Sequence, residues 1–209
     1  MGCVMTTHPA GRDHSPPAND RRGVSLYGSA VEYAIHCLLW LAPSRDQPAS
    51  SRDLAELQGI SPAMVAKLLP KLEKAGILTA QDGISGGYRL ARDADAITVL
   101  DIVDAVDSGK RVFDCKDIRN GCALLDDPIP DWASRGVCSI HAVMLRAEKS
   151  MRKEMAATTL LDLANAVSAK APPAFAGDVD NWLNARTAER ERARLAAMRT
   201  GVRRRKTEQ

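Results

Sequence analysis

The stretch "PASSRDLAELQGISPAMVAKLLPKLEKAGIL", residues 48–78, leaves the fewest folding options of any in the chain. Ser50, with Asp53 three residues on, caps a short helix that runs to Gln58, and Gly59 lets the backbone turn. Ser61 is then expected to cap a second helix with Pro62 at the first helical position, where its missing N–H is not needed. Val65, Leu68, Leu69 and Leu72 recur at helical spacing and predict a buried stripe, which places Lys67, Lys71 and Lys74 on the outward side. Pro70 removes one backbone hydrogen bond inside that helix and is expected to kink it. Gly76 ends the helix, and "ILTAQDGISGGYRLA" reads as two short strands joined by a glycine-rich turn. Helix, turn, helix and hairpin together make a winged helix-turn-helix.

The flanking segments fit that core. "YGSAVEYAIHCLLWLA" has apolar residues at i, i+3 and i+4 and predicts a helix over 27–42, and Cys37 within it reads as a small buried hydrophobe. Thr98, with Asp101 three residues later, caps the helix "VLDIVDAVDSG", whose Val99, Ile102, Val103 and Val106 are expected to close on the first helices. Beyond a cysteine-containing loop, "SIHAVMLRAEKSMRKEMAA" is helical, with Ile140, Met144, Ala147, Met151 and Met155 on one stripe that suits either its own body or a second chain. Thr159 and Asp162 cap another helix to about Ser168, and the last segment is a charged helix with a basic tail. The expected class is mainly α with a small β-hairpin wing. The expected organisation is a disordered leader at 1–24, a winged helix-turn-helix domain at 25–109, and a cysteine-containing loop at 110–138. A long helix and a packing helix fill 139–170, and a charged extension follows at 171–209.

Apolar residues make up 45% of the 209 and charged residues 26%, enough for one ordinary core, while a net charge of +3 excludes no partner by itself. The first 23 residues lack the apolar stretch of a secretory signal, and no run approaches the roughly 18 residues that span a bilayer. A cytoplasmic protein without membrane association is expected. Met1-Gly2 with Thr6 satisfies only a loose acylation pattern that recurs by chance. No phosphate loop, Ser-His-Asp set or paired carboxylate site is readable, so an enzyme is not expected.

Lys67 and Lys71 on the second helix, Arg52 on the first and Arg89 in the hairpin can neutralise phosphates while the helix enters a major groove. Ser61, Pro62 and Met64 at the start of that helix, and Ser85, Gly86 and Tyr88 in the wing, complete the candidate DNA contacts. A lysine row on an amphipathic helix is also how a plain solvated face looks. A winged helix that binds protein as an adaptor has the same outline.

Together "YGSAVEYAIHCLLWLA", "DLAELQGISPAMVAKLLPKLEKAGIL", "GGYRLA" and "ITVLDIVDAVDSG" resemble the Rrf-two family of winged-helix transcription regulators, the group of IscR, NsrR and RsrR. The resemblance runs from about Ser25 to Ser168. It implies a homodimer on a double-stranded DNA operator, pairing through the long helix, and in many members an iron-sulfur cluster in the loop. Two departures bear on DNA reading. Asp82 stands before the first turn glycine, where an arginine often reaches the minor groove, and Met64 and Ala66 replace a tyrosine and a glutamate.

Cys115, Cys122 and Cys138 lie in the loop, and no C-x-x-C pair is present. Structural zinc usually brings such a pair, so three soft thiolates suit an iron-sulfur cluster better. Redox-active or buried thiols remain the alternative, and with them a cluster-free thiol-sensing regulator. The resemblance favours a cluster, of the [2Fe-2S] type, although the gap from Cys122 to Cys138 exceeds the usual spacing. His141, three residues after Cys138, shares its helix face and resembles the fourth ligand of IscR-like members. Glu32 resembles the acidic ligand that RsrR-like members take from the other subunit. His36 ranks below both. The implied signal is redox state, nitric oxide or iron-sulfur status.

Overall fold

The structure is a computed structural model that describes residues 26–207, apart from 44–46, 84–85, 108, 110 and 126–127. The expected leader, and Ser85 of the wing, lie outside the described residues. Helices α1 (Ser29–Leu39), α2 (Ser51–Gln58) and α3 (Pro62–Lys74) are followed by strands β1 (Leu78–Gln81) and β2 (Gly87–Leu90). Then come α4 (Val99–Asp107), a short α5 (Asp131–Ser134), the long α6 (Ser139–Ala157), α7 (Leu160–Ser168) and α8 (Phe175–Thr207).

The local signals act as their chemistry dictates. The Ser50 hydroxyl accepts the Asp53 amide at 3.1 Å, and Gly59 closes α2 in the left-handed region at φ 65°. Ser61 occupies the cap position of α3 without a side-chain cap bond, and Pro62 takes the first turn. Pro70 lies on the exposed side of α3, and the helix continues through it from Pro62 to Lys74. Thr98 and Asp101 cap α4 reciprocally at 3.0 and 3.1 Å, and Thr159 with Asp162 does the same for α7. Helix α1 stops at Leu39, three residues short of the periodic pattern, because Trp40 to Pro43 turn away.

One core joins these elements. Leu38, Leu54, Leu69, Leu72, Ile77 and Ile102 are fully buried at its centre. Leu160 of α7 and Leu183 of α8 bury in the same cluster. The chain entering α4 is bound to the chain entering α7 by Val99 N–H to Thr158 O and Leu160 N–H to Ile97 O, at 2.9 and 2.8 Å. The wing pairs antiparallel, with Leu78 opposite Leu90 and Gln81 opposite Gly87. Its second strand is gripped on the other side by Ala49, whose amide and carbonyl both bond Tyr88. A Cβ on Gly87 would stand 2.5 Å from the Ala49 carbonyl oxygen, so this three-way junction admits only glycine.

Helix α6 differs from the rest. None of its 19 residues is buried, and Ile140, Val143 and Leu145 are exposed by 66%, 53% and 45%. Its hold on the body comes from Met155 against the core and from a two-pronged Arg152–Asp104 pair at 2.8 and 3.0 Å.

Candidate DNA-binding face and cysteine loop

The predicted buried stripe of α3 is inside, with Val65, Leu68, Leu69 and Leu72 at most 2% exposed. Ser61, Pro62, Met64 and Lys67 are therefore presented to solvent from one end of α3, and Arg52 from α2. Lys71 is used differently: its Nζ donates to the Val106 carbonyl at 3.0 Å and satisfies the C-terminal end of α4. In the wing, Tyr88 and Arg89 are half-buried on β2. Burial, assisted by the Glu73 carboxylate, raises the Tyr88 phenol, so it stays a neutral donor. Gly86 sits where a Cβ would lie 2.5 Å from the Gln81 carbonyl, which forces the tight wing turn.

The three loop cysteines are accessible and unlike Cys37. Burial raises the Cys37 thiol, which receives a bond from Gln58 Nε2 at 3.3 Å in the core. Cys138 holds the N-cap position of α6, and the backbone amides of His141 and then Ile140, followed by the Arg119 charge, pull its thiol down. Arg119 is itself raised, first by its hydrogen bond to Asp117 at 2.8 Å and further by Cys138 and Cys115. Its guanidinium thus lies near both cysteines. No spacing rule pointed to this arginine, one of several cations in the loop beside Lys116 and Arg135. Asp117 takes a left-handed backbone at φ 47°, which turns the chain so that Arg119 faces the α6 end. Cys122 is exposed. His141 lies one turn into α6, its ring 5.9 Å from that of Phe113.

Glu32 is exposed on α1, beside His36, and opens on a groove lined by Tyr27, Ile35, Val99 and Leu163. Among the described residues no three His, Cys, Asp or Glu side chains gather into a metal-holding group. The expected ligand set is therefore not assembled within one chain. The donor chemistry does suit an iron-sulfur cluster, because helix-end amides and the Arg119 charge favour the Cys138 thiolate, and Cys115 and Cys122 supply further soft sulfur donors in the same loop.

Exposed helix-turn-helix, short wing and long unburied helix define a winged-helix DNA-binding regulator. Residues 27–166 match the Rrf2 family, described as an iron-dependent transcriptional regulator, and the chain belongs to that family. The protein rrf2 of Nitratidesulfovibrio vulgaris is 33% identical over 141 residues, 66% of this chain and 83% of that one. The HTH-type transcriptional regulator IscR of Vibrio parahaemolyticus is 36% identical over 89 residues, 42% of this chain and 53% of its own. Among solved structures, T. potens IscR overlays with a TM-score of 0.51 at 25% identity, covering 69% of this chain and 89% of that one. CymR of B. subtilis, titled a global cysteine regulator, overlays equally well at 22% identity and supports the fold. These relatives are transcription regulators, so the chain is not grouped with enzymes. Among the described residues no helix is long and apolar enough to cross a membrane.

Proposed function

We propose that this family member is a homodimeric DNA-binding regulator that senses redox state, nitric oxide or iron-sulfur status through its loop. Cys115, Cys122 and Cys138 hold an iron-sulfur cluster of the [2Fe-2S] type. The fourth position is filled by His141, one turn from Cys138, or by the partner subunit's Glu32. The cluster supplies a one-electron couple and bonds that oxidants or nitric oxide can break. The observation that carries this reading is the position of Cys138, which is at once a loop cysteine and the N-cap of α6. A change of bonding at its sulfur acts directly on the end of the helix whose exposed Ile140, Val143 and Leu145 suit a second copy of the chain.

On the DNA side, Ser61, Pro62, Met64 and Lys67 approach the major groove, and Arg52, Gly86, Tyr88 and Arg89 flank it. Lys71 bears on DNA only when it leaves Val106. Two half-sites about one helical turn, 34–36 Å, apart tolerate little change in dimer spacing, so a small shift at α6 alters affinity.

The test is a visible spectrum of anaerobically purified protein with iron and sulfide counts. Visible absorbance that is lost in Cys138→Ala is expected, with His141→Ala and Glu32→Ala separating the fourth ligand. Full colour, iron content and DNA affinity in Cys138→Ala would overturn the cluster reading. A second reading, thiol sensing without a cluster, draws on the shared Arg119 of Cys138 and Cys115 and on the dispersed donors of the single chain. It predicts a colourless protein whose DNA binding responds to peroxide.

A further inference from the structure

Helix α8 lies beyond the family match, which ends at residue 166, yet it is not a loose appendage. Val179 and Leu183 bury 93% or more of their surface in the main core, and Thr187 is buried with its hydroxyl bonded to the Leu183 carbonyl at 3.1 Å. Next to this apolar seam is a charged latch onto α2. Arg186 pairs with Glu56, approaches Asp53 at 4.0 Å, and stacks on Trp182 at 5.4 Å. Arg190 pairs with Asp53, a carboxylate only 3% exposed and therefore in need of a counter-charge.

The order of these pairs fixes a direction. Moving from Arg186 to Arg190 along α8 moves from Glu56 back to Asp53 along α2, so the two helices run antiparallel. Helix α8 therefore leaves the body at the N-terminal end of α2, beside exposed Arg52 and the Ala49 bridge that grips the wing. In a helix-turn-helix the first helix lies across the DNA backbone. Residues 191–207 continue as helix past that point and carry seven arginines and lysines against one acid, Glu191. At 1.5 Å per residue they reach about 25 Å, or about 7 base pairs of duplex at 3.4 Å each.

The geometry points to a second DNA-contacting element: residues 191–207 of α8, aimed by the Asp53–Arg190 and Glu56–Arg186 latch along the phosphates of duplex DNA flanking the operator. The partner is chosen by charge, by sustained helical reach, and by continuity with the face that presents Arg52. This inference rests on the DNA-binding reading above.

The experiment uses the full chain and a duplex that the wild type selects from a random pool. That duplex is prepared as the core alone and with about 10 base pairs added on each side, enough to pass the reach of the helix. At about 0.1 M salt the wild type is expected to bind the extended duplex at least about tenfold tighter. The triple variant Arg203→Gln, Arg204→Gln, Arg205→Gln lies beyond Arg190, the last residue of the latch, and is expected to lose that preference while keeping core affinity. Its salt slope on the extended duplex should fall by about 3 per protomer. Ala197→Pro keeps every charge but interrupts the helix beyond the latch, and is also expected to lose most of the gain. Equal wild-type affinity for both lengths, or a full preference in either variant, would overturn the inference. If the wild type selects no DNA at all, it is the DNA-binding reading that fails.

Discussion

At the residue scale, the thiols of this protein divide by environment. Cys138 is held below the ordinary thiol value of 9.0 by two helix-end amides and Arg119, while burial holds Cys37 above it. A lowered acid pKa means the thiolate persists as pH falls, and any stability linked to it is present above the unfolded-state value and lost as pH drops through the folded one. In metal-free protein, the alkylation rate of Cys138 should therefore have its midpoint below pH 9.0, and Cys37 should stay unmodified until the protein unfolds. Mass spectrometry of iodoacetamide-treated samples across pH reads both. Gly87 is the other residue with a single solution. Gly87→Ala places a methyl 2.5 Å from the Ala49 carbonyl and should destabilise the protein, by about 1–3 kcal/mol in urea unfolding.

At the scale of elements, capping and latching decide how the helices are placed. Thr98→Ala removes the hydroxyl that receives the Asp101 amide at 3.1 Å, and is expected to cost about 1 kcal/mol. The latch between α8 and α2 has more at stake, because Asp53 is buried and Arg190 sits against it. Arg190→Ala leaves that carboxylate with Arg186 at 4.0 Å as its remaining cation, and a loss of about 1–3 kcal/mol should appear in chemical denaturation. Asp53→Asn together with Arg190→Ala should lose less than the sum of the single changes, since the uncompensated charge is then gone.

For the whole molecule, α6 is the unfinished surface. A helix of 19 residues with none buried has little reason to persist alone, and the exposed Ile140 and Val143 lie on it three residues apart. Ile140→Glu with Val143→Glu should leave the winged-helix core folded and convert a dimer to a monomer in sedimentation, with DNA affinity falling as the second half-site is lost. Wild-type protein that sediments as a monomer would remove α6 as the pairing element.

The winged helix was legible in the sequence because its information is local. Ser50 and Asp53, Gly59, Pro62, the Val65 to Leu72 stripe and Gly86 of the wing turn each carry a signal readable within a few residues, through hydrogen bonds, spacing and backbone sterics that neighbours along the chain supply. The loop cysteines were legible as candidate donors for the same reason, since soft ligands cluster in the text. Tertiary structure decided what pairs across distance. It gave Lys71 to the end of α4, set Arg119 beside Cys138 and Cys115, and folded Leu183 and Arg190 of the charged extension onto the core and α2. An exposed basic helix and one anchored by a buried carboxylate read alike as strings of arginines. Burial of Asp53 is what distinguishes them, and burial exists only once the chain has closed on itself.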